Sequence, residues 1–253
     1  MRLAVIGPCS ASTSDLAATV LAPDLATVIA AWAGSFTVIR RSEAKVEILT
    51  DASGACPVYT TQTEEGRTVW GSSARALAAL INAEVDPWWL ATYLTDKHAD
   101  LPGRSAWSGV GLVPPGHRLI LTPDDMTLTR WWRPKLRSHA AGIQRLRNAL
   151  LGGVHSRVVG LPASTDLAGV DSTTLTIIAA GVGPVTGITG YPKGAAGGGD
   201  LAYARALRIP GLTREYFVCA VDFLPTAKAG GFQPTGALVG AVLSRGFPLV
   251  PAS

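Results

Sequence analysis

The residues of this chain whose types are best suited to binding a phosphate group are 166–174, DLAGVDSTT. They follow a short apolar run and precede a helical pattern, which is where an α/β protein places a loop that holds phosphate. Ala168 and Gly169 are small enough to let backbone N–H groups approach phosphate oxygens. The residues suited to the start of the following helix are Asp171, Ser172 and Thr173. We therefore predict a loop for a nucleotide pyrophosphate, with an ordinary capped helix after a strand as the alternative.

The predicted helix spans residues 173–180. Gly181 follows it and is typical of the residue at which a helix ends. The apolar residues after the loop have the spacing of a buried helix, and they are Leu175, Ile177, Ile178 and Ala179. Strand, loop and helix thus form the unit that would position the candidate phosphate donors.

The chain of 253 residues is long enough for two modest domains. Residues 3–134 contain short alternating runs such as SFTVIR, KVEILT and RLILT, together with helical patterns at 73–80 and 87–94. This arrangement predicts an α+β, strand-rich first domain. A group of large side chains at helical spacing is interpreted as core or domain interface rather than as a ligand site; its members are Trp88, Trp89, Leu90 and Tyr93.

After Pro134, helices and strands alternate along the sequence. The predicted helices are 140–158, 173–180 and 200–207, and the predicted strands are 163–167, 185–189 and 214–218. Such alternation predicts a parallel, doubly wound sheet whose ligands lie beyond the carboxyl ends of the strands. The 166–174 stretch lies at one of these ends.

Composition favours a soluble enzyme. Hydrophobic residues make up 47% of the chain, yet no apolar run reaches the length of a membrane span. The residues that follow Met1 have the pattern of a first β-strand rather than of a signal peptide. The 3 cysteines (Cys9, Cys56 and Cys219) form no CxxC pair, which favours a reduced cytoplasmic compartment and argues against zinc. The histidines (His98, His117, His139 and His155) lie far apart in the sequence and form no discernible catalytic set with Ser or Asp.

The net charge of +4 raises the question of an anionic partner. The densest basic stretch, residues 130–147, spans a linker and a predicted helix whose other side carries Ile143, Leu146 and Leu150. We favour a solvated helix face over a nucleic-acid patch. Attraction of an acidic peptide or of nucleotide phosphates ranks between these two interpretations.

DLAGVDSTT resembles the SGGxDS pyrophosphate loop of the asparagine synthetase superfamily, and four further stretches resemble that superfamily in order. GSFTVIRR (34–41), TDASGACPVYT (50–60) and VWGSSARALAAL (69–80) are similar to its N-terminal domain. Residues 101–134, with a PPGH turn and a Trp-Trp pair, resemble the link between its two domains. Four short sequences are most similar to those of actinobacterial lasso-peptide cyclases, namely CPVYT, SSARALAAL, VPPGHRL and WWRP.

This resemblance implies two domains. Residues 1–134 would form an amidase-like domain of the N-terminal-nucleophile type, and residues 135–253 a partial ATP-pyrophosphatase-type domain with a doubly wound parallel sheet. In glutamine-using relatives the nucleophilic cysteine directly follows the initiator Met, whereas here Arg2 does. Glutamine hydrolysis is therefore not expected, and Cys9 and Cys56 are interpreted as small buried thiols.

The resemblance also implies a reaction with ATP and Mg²⁺. A peptide carboxylate would attack the α-phosphate to give an acyl-adenylate, and the peptide's N-terminal amine would then attack the acyl carbon. Residues implied to bind the nucleotide are Leu167, Ala168, Gly169, Val170, Asp171, Ser172, Thr173 and Ile188. Among them, Asp171 would hold Mg²⁺ or cap the helix, while Leu167 and Ile188 would flank adenine or belong to the core. The implied partners are a precursor peptide and the leader-binding and leader-peptidase proteins that process it.

The sequence departs from the family at two places. The loop lacks the first serine of SGGxDS, and an alanine stands where that pattern has a glycine. The family continues past the equivalent of residue 253 through a helical region with a second acidic ATP motif. Residues 227–253 lose clear periodicity, and we expect them to be an out-of-frame or truncated ending. Residues 194–200, GAAGGGD, lack the Lys-Ser/Thr of a Walker loop and are interpreted as a plain loop. The alternatives to a lasso cyclase are an ammonia-using asparagine synthetase homologue and an inactive remnant that only binds peptide or a partner.

Overall fold

The computed structural model describes residues 1–97, 99, 101–136, 138–192, 194 and 199–219. His98, residues 195–198 of the glycine-rich loop, and the predicted truncated ending lie outside the described residues. The strands are β1 (Arg2–Ile6), β2 (Thr37–Arg41), β3 (Val46–Leu49), β4 (Tyr59–Gln62), β5 (Thr68–Gly71), β6 (Gly111–Leu112), β7 (His117–Leu121), β8 (Met126–Arg130), β9 (Ala163–Asp166), β10 (Val185–Pro192) and β11 (Leu212–Cys219). The helices are α1 (Thr13–Val20), α2 (Leu25–Ile29), α3 (Ala74–Leu80), α4 (Pro87–Thr95), α5 (His139–Val158), α6 (Val170–Ala180) and α7 (Gly199–Ala206).

The first part of the chain is built on an antiparallel sheet in the order β1-β2-β3-β7-β8. Neighbouring residues of β3 point to opposite faces of it. Leu49 packs with Leu25 and Ile29 of α2, whereas Ile48 packs with Val58 and other residues of a second cluster. The central strands of the sheet are thus covered on both faces.

A second sheet, in the order β5-β4-β6, carries helix α3 against it. The strand-rich character predicted for residues 3–134 agrees with these two sheets. The Trp88 cluster is not core, because the structure buries none of the residues of α4. Its alternative interpretation as a domain interface stays a prediction. Trp88 is 72% exposed, and Trp89 stacks on Tyr93 with ring centroids 5.1 Å apart. An apolar helical pattern therefore did not distinguish core from surface here.

A buried carboxylate ties strands β2, β3 and β7 together. Glu47 is fully buried, and its Oε2 accepts hydrogen bonds from Arg40 Nε at 3.1 Å and Nη2 at 2.7 Å. Arg118 of β7 makes an ion pair with the other oxygen of Glu47. Two guanidinium groups thus compensate a charge that would otherwise be costly to bury.

The second part of the chain alternates helix and strand from α5 to β11, as the sequence predicts. Its three strands are parallel, in the order β11-β10-β9. Val185 pairs with Ala163 on one side and with Leu212 on the other. The carboxyl ends of β9 and β10 therefore lie at the same edge, and the candidate loop follows β9 there.

None of the helices in the described part of the chain combines the length and apolarity that a bilayer crossing requires.

Candidate functional site

The candidate loop occupies residues 167–169 between β9 and α6. The helix begins at Val170, three residues before the predicted start at Thr173, so Asp171 and Ser172 lie in its first turn. Its first intrahelical bond runs from Thr173 N–H to Gly169 C=O at 3.0 Å. The backbone N–H groups of Val170, Asp171 and Ser172 therefore have no acceptor within the helix, which is the arrangement that binds anions.

Ser172 uses its hydroxyl to close the loop on itself. Its Oγ accepts the backbone N–H of Ala168 and of Gly169, each at 3.1 Å, and lies 3.1 Å from the Gly169 carbonyl, to which it donates. Two of the N–H groups predicted to hold phosphate thus have an internal acceptor. A phosphate that used these two donors would have to displace the Ser172 hydroxyl.

Threonine side chains, rather than the predicted apolar residues, form much of the buried face of α6. Thr173, Thr176 and Ala179 are buried, whereas Leu175 is 40% and Ile177 51% exposed. Thr176 Oγ1 donates to Ser172 C=O at 2.8 Å, which satisfies its hydroxyl inside the structure. The prediction that Leu175 and Ile177 belong to a buried helix face is therefore wrong. The spacing of three between Thr173, Thr176 and Ala179 is the signal that could have revealed the true face.

Thr173 Oγ1 lies beside the loop without a hydrogen-bond partner among the described residues. The residue is 5% exposed, and this oxygen is buried. A buried hydroxyl without a partner costs free energy, so a polar ligand reaching it would recover that cost.

Leu167 and Ile188, the two predicted neighbours of adenine, hold the loop to strand β10. Leu167 is fully buried, and its backbone N–H donates to Ile188 C=O at 2.8 Å. Thr189 Oγ1 donates to the Leu167 carbonyl at 2.5 Å. A Cβ at Gly187 would lie 2.8 Å from Leu167 Cδ2, so this glycine makes room for the leucine. Leu167 thus belongs to the core, while Ile188 is half-buried.

Asp171 is exposed in the first turn of α6. No group of three or more metal-binding side chains occurs among the described residues. Mg²⁺ in nucleotide sites is commonly held by one or two carboxylates together with the substrate phosphates. A single exposed carboxylate beside the free N–H groups of α6 fits that pattern.

Three of the sequence motifs meet in the first part of the chain. Thr50 Oγ1 donates to Pro114 C=O at 2.8 Å and accepts the His117 N–H at 3.1 Å. Trp131 Nε1 donates to Thr50 C=O at 3.1 Å. The TDASG turn, the PPGH turn and the Trp-Trp pair therefore form one hydrogen-bonded node, which we call the Thr50 node.

Both cysteines with described side chains are free and half-buried. The Cys56 thiol donates to Ser35 C=O at 3.5 Å. Burial raises the pKa of Cys56, the Asp51 carboxylate raises it further, and Arg157 lowers it. Cys56 is therefore a neutral thiol at physiological pH, which suits the predicted structural role better than that of a nucleophile.

A cleft of about 670 Å³ separates the two parts of the chain. Trp32 and Ala33 line it on one side, and Leu150, Val154 and Arg157 of α5 with Leu175 of α6 line it on the other. Nothing in the sequence indicated this cleft, because its walls lie more than a hundred residues apart.

Comparison with known proteins bears on the first part of the chain. Residues 23–132 match the family model of the glutamine amidotransferase domain. No curated protein matches the chain. One similar solved structure is glutamine phosphoribosylpyrophosphate amidotransferase from B. subtilis complexed with ADP and GMP, at 13% identity and a TM-score of 0.34 over 82% of this chain. Another is described as the allosteric regulatory enzyme of purine biosynthesis, at 10% identity and a TM-score of 0.35 over 85% of this chain.

The chain spans 51% of the first of these structures and 60% of the second. TM-scores of 0.34 and 0.35 are too low to assign a fold or a function. The match to the family model is therefore the basis for describing the first part of the chain. It covers the Thr50 node and both antiparallel sheets except β1. The amidase-like first domain predicted from the sequence is thereby supported, and residues 23–132 form a domain of the glutamine amidotransferase type.

Proposed function

We propose that this chain is an ATP-dependent amide ligase of the asparagine synthetase type. The observation that carries the proposal is the order of its parts. A glutamine amidotransferase-type domain precedes a parallel sheet whose strand β9 runs through a short loop into α6. The resemblance of that loop to SGGxDS supports a nucleotide pyrophosphate as its ligand.

In the proposed reaction, a substrate carboxylate oxygen attacks the α-phosphorus of ATP, and the bond to pyrophosphate breaks. An amine then attacks the acyl carbon, AMP leaves with the carbon–oxygen bond electrons, and the amine loses a proton. The N–H groups of Val170, Asp171 and Ser172 would stabilise the charge that develops on the departing pyrophosphate. Asp171 would hold Mg²⁺ against those phosphates.

The finer proposal is macrolactam formation on a ribosomal peptide, as in lasso-peptide cyclases. This proposal is supported by the amino-acid sequences around the Thr50 node, namely CPVYT, VPPGHRL and WWRP, together with SSARALAAL. The substrate would then be a precursor peptide whose Asp or Glu side chain is joined to its own N-terminal amine. Leader-binding and leader-peptidase proteins would be its partners, in the cytoplasm.

The test is to incubate the purified chain with Mg-ATP and a precursor peptide, and to measure AMP, pyrophosphate and the loss of one water from the peptide. AMP formation that depends on the peptide supports the ligase. Asp171→Asn should raise the Mg²⁺ concentration needed for half-maximal rate, whereas Asp124→Asn, at an exposed turn, should not. Release of free asparagine from aspartate and ammonia would instead identify an asparagine synthetase homologue.

One observation favours a second candidate, a protein that binds peptide without turnover. Ser172 already satisfies the N–H groups of Ala168 and Gly169, which leaves the loop closed on itself. If the folded chain fails to bind ATP in isothermal titration calorimetry, a protein that only binds peptide is the better description.

A further inference from the structure

We propose that the cleft between the two parts of the chain binds an apolar peptide segment that carries a carboxylate, and that Arg157 recognises the carboxylate. The inference rests on the proposed function only in taking this peptide to be the acyl substrate. Binding itself needs no ATP, so it can be measured separately.

The walls of the cleft favour an apolar chain. Apart from Asn148 and Arg157, its lining consists of apolar side chains and glycines. The 670 Å³ volume is in the range of sites that enclose small ligands or short peptide segments. Transfer of leucine-sized side chains from water to such walls is favourable.

Arg157 supplies the polar recognition. Its Nη1 donates to Gly153 C=O at 2.6 Å, and its Nη2 donates to Ser35 Oγ. These bonds fix the guanidinium at the cleft but use only part of its five N–H donors. None of the described ion pairs involves Arg157, so its charge has no carboxylate partner within the described residues.

The amino-acid sequence around Arg157 strengthens the case for an acidic ligand. Residues 126–165 contain no Asp or Glu at all. Their 7 basic residues are Arg130, Arg133, Lys135, Arg137, Arg145, Arg147 and Arg157. Helix α5, which carries three of them, buries none of its residues among the described part of the chain. A segment whose charges are all of one sign attracts a ligand of the opposite sign and raises its association rate.

The cleft also lies close to the candidate loop. Leu175 lines the cleft and lies five residues after Val170, where α6 begins. Five residues of α-helix advance roughly 7.5 Å along the axis. A peptide in the cleft would therefore have a second carboxylate within reach of the proposed nucleotide. A nucleic acid fits less well, because the apolar walls provide one cation where a phosphate backbone needs several.

The experiment is fluorescence anisotropy of the full chain with a short fluorescein-labelled peptide that alternates leucine and aspartate. A second peptide has asparagine in place of aspartate. We expect the aspartate peptide to bind about tenfold more tightly, the difference that one charge-assisted contact supplies. Arg157→Gln should abolish the difference, and added salt should reduce it.

Three variants separate recognition from structure. Ser35→Ala removes the bond that ties Arg157 to the first part of the chain, and should weaken binding of the aspartate peptide less than Arg157→Gln does. Arg75→Gln removes an exposed charge of α3, and should leave peptide binding unchanged. Ala149→Trp fills the cleft from an exposed wall position, and should weaken binding of both peptides at least tenfold.

The proposal is overturned if the two peptides bind equally, if Arg75→Gln weakens binding as much as Arg157→Gln, or if Ala149→Trp has no effect. An equal loss in Ser35→Ala would show that Arg157 only fastens the two parts together. Tighter binding of a labelled oligothymidylate that depends on Arg157 would assign the surface to nucleic acid instead. Peptide binding without AMP formation would leave this inference intact while contradicting the ligase.

Discussion

Trp131 donates its indole N–H to the carbonyl oxygen of Thr50 at 3.1 Å, across 81 positions of the sequence. The same tryptophan packs against the core cluster that contains Leu25 and Leu49. Its backbone N–H donates to Gly116 C=O at 3.0 Å. One residue at the end of the first domain therefore closes both the turn that precedes β7 and the end of β3.

We expect Trp131→Phe to lower the free energy of unfolding by about 1–3 kcal/mol, because it removes the bond to Thr50 and leaves unfilled volume in the core. Urea denaturation followed by circular dichroism measures the change. Trp132→Phe is the matched control, since Trp132 is 38% exposed. An equal loss of stability in the two variants would argue against the role of the Thr50 node.

The antiparallel part of the fold could be predicted because its strands alternate along the sequence and its turns carry distinctive residues. TDASG and PPGH were found as motifs, yet their meeting at Thr50 could not be predicted, since it depends on the pairing of β3 with β7. The exposure of α4 was missed for a related reason. A run of aromatic residues has the same pattern whether or not another element covers it.

We expect Ser172→Ala to lower the free energy of unfolding by about 1 kcal/mol, because it leaves the N–H groups of Ala168 and Gly169 without their acceptor. Thr174→Ala is the control. The Thr174 hydroxyl donates to Val170 C=O at 2.8 Å and is exposed, so water can replace it. That variant should change stability by less than about 0.5 kcal/mol. Thermal unfolding of both proteins tests whether the loop is closed as described.

The position of the candidate loop was predictable, but its details were not. Small residues after an apolar run marked the end of β9, and the structure places the loop there. The earlier start of α6 follows from Ser172, whose side chain satisfies the loop and lets Val170 open the helix. Leu175 was assigned to the interior on apolarity alone, although Thr176 takes the buried position by bonding to its own helix.

Gly187 should tolerate no side chain. We expect Gly187→Ala to destabilise the fold by about 1–3 kcal/mol, because the new Cβ would lie 2.8 Å from Leu167 Cδ2 in a packed interior. Gly183→Ala is the control, since a Cβ there meets nothing within 4 Å. If Leu167→Ala is combined with Gly187→Ala, the second substitution should cost less than it does alone, and additive losses would contradict the contact.

Cys56 offers a test by pH. The folded state raises the pKa of this thiol above its ordinary value of 9.0, first through burial and then through Asp51. Folding thus favours the neutral thiol, and the contribution of Cys56 to stability is present below pH 9.0 and declines as the pH rises through the folded-state pKa. In a Cys9→Ser, Cys219→Ser background, the rate of alkylation by iodoacetamide should reach half its maximum above pH 9.0. A midpoint below that value would contradict the described surroundings of the thiol.

The pairing of β3 with β7 has a consequence for how the chain is made. Val46 pairs with Leu121, and Trp131 donates a hydrogen bond to Thr50. Strand β3 therefore lacks its second neighbour, β7, until most of the domain has left the ribosome. At roughly 5–20 residues per second, the residues between Thr50 and Trp131 take roughly 4–16 seconds to synthesise. During that interval β3 is an open sheet edge, the kind of surface that pairs with other chains. Slow translation in this region should therefore lower the yield of folded protein more than slow translation after Trp131.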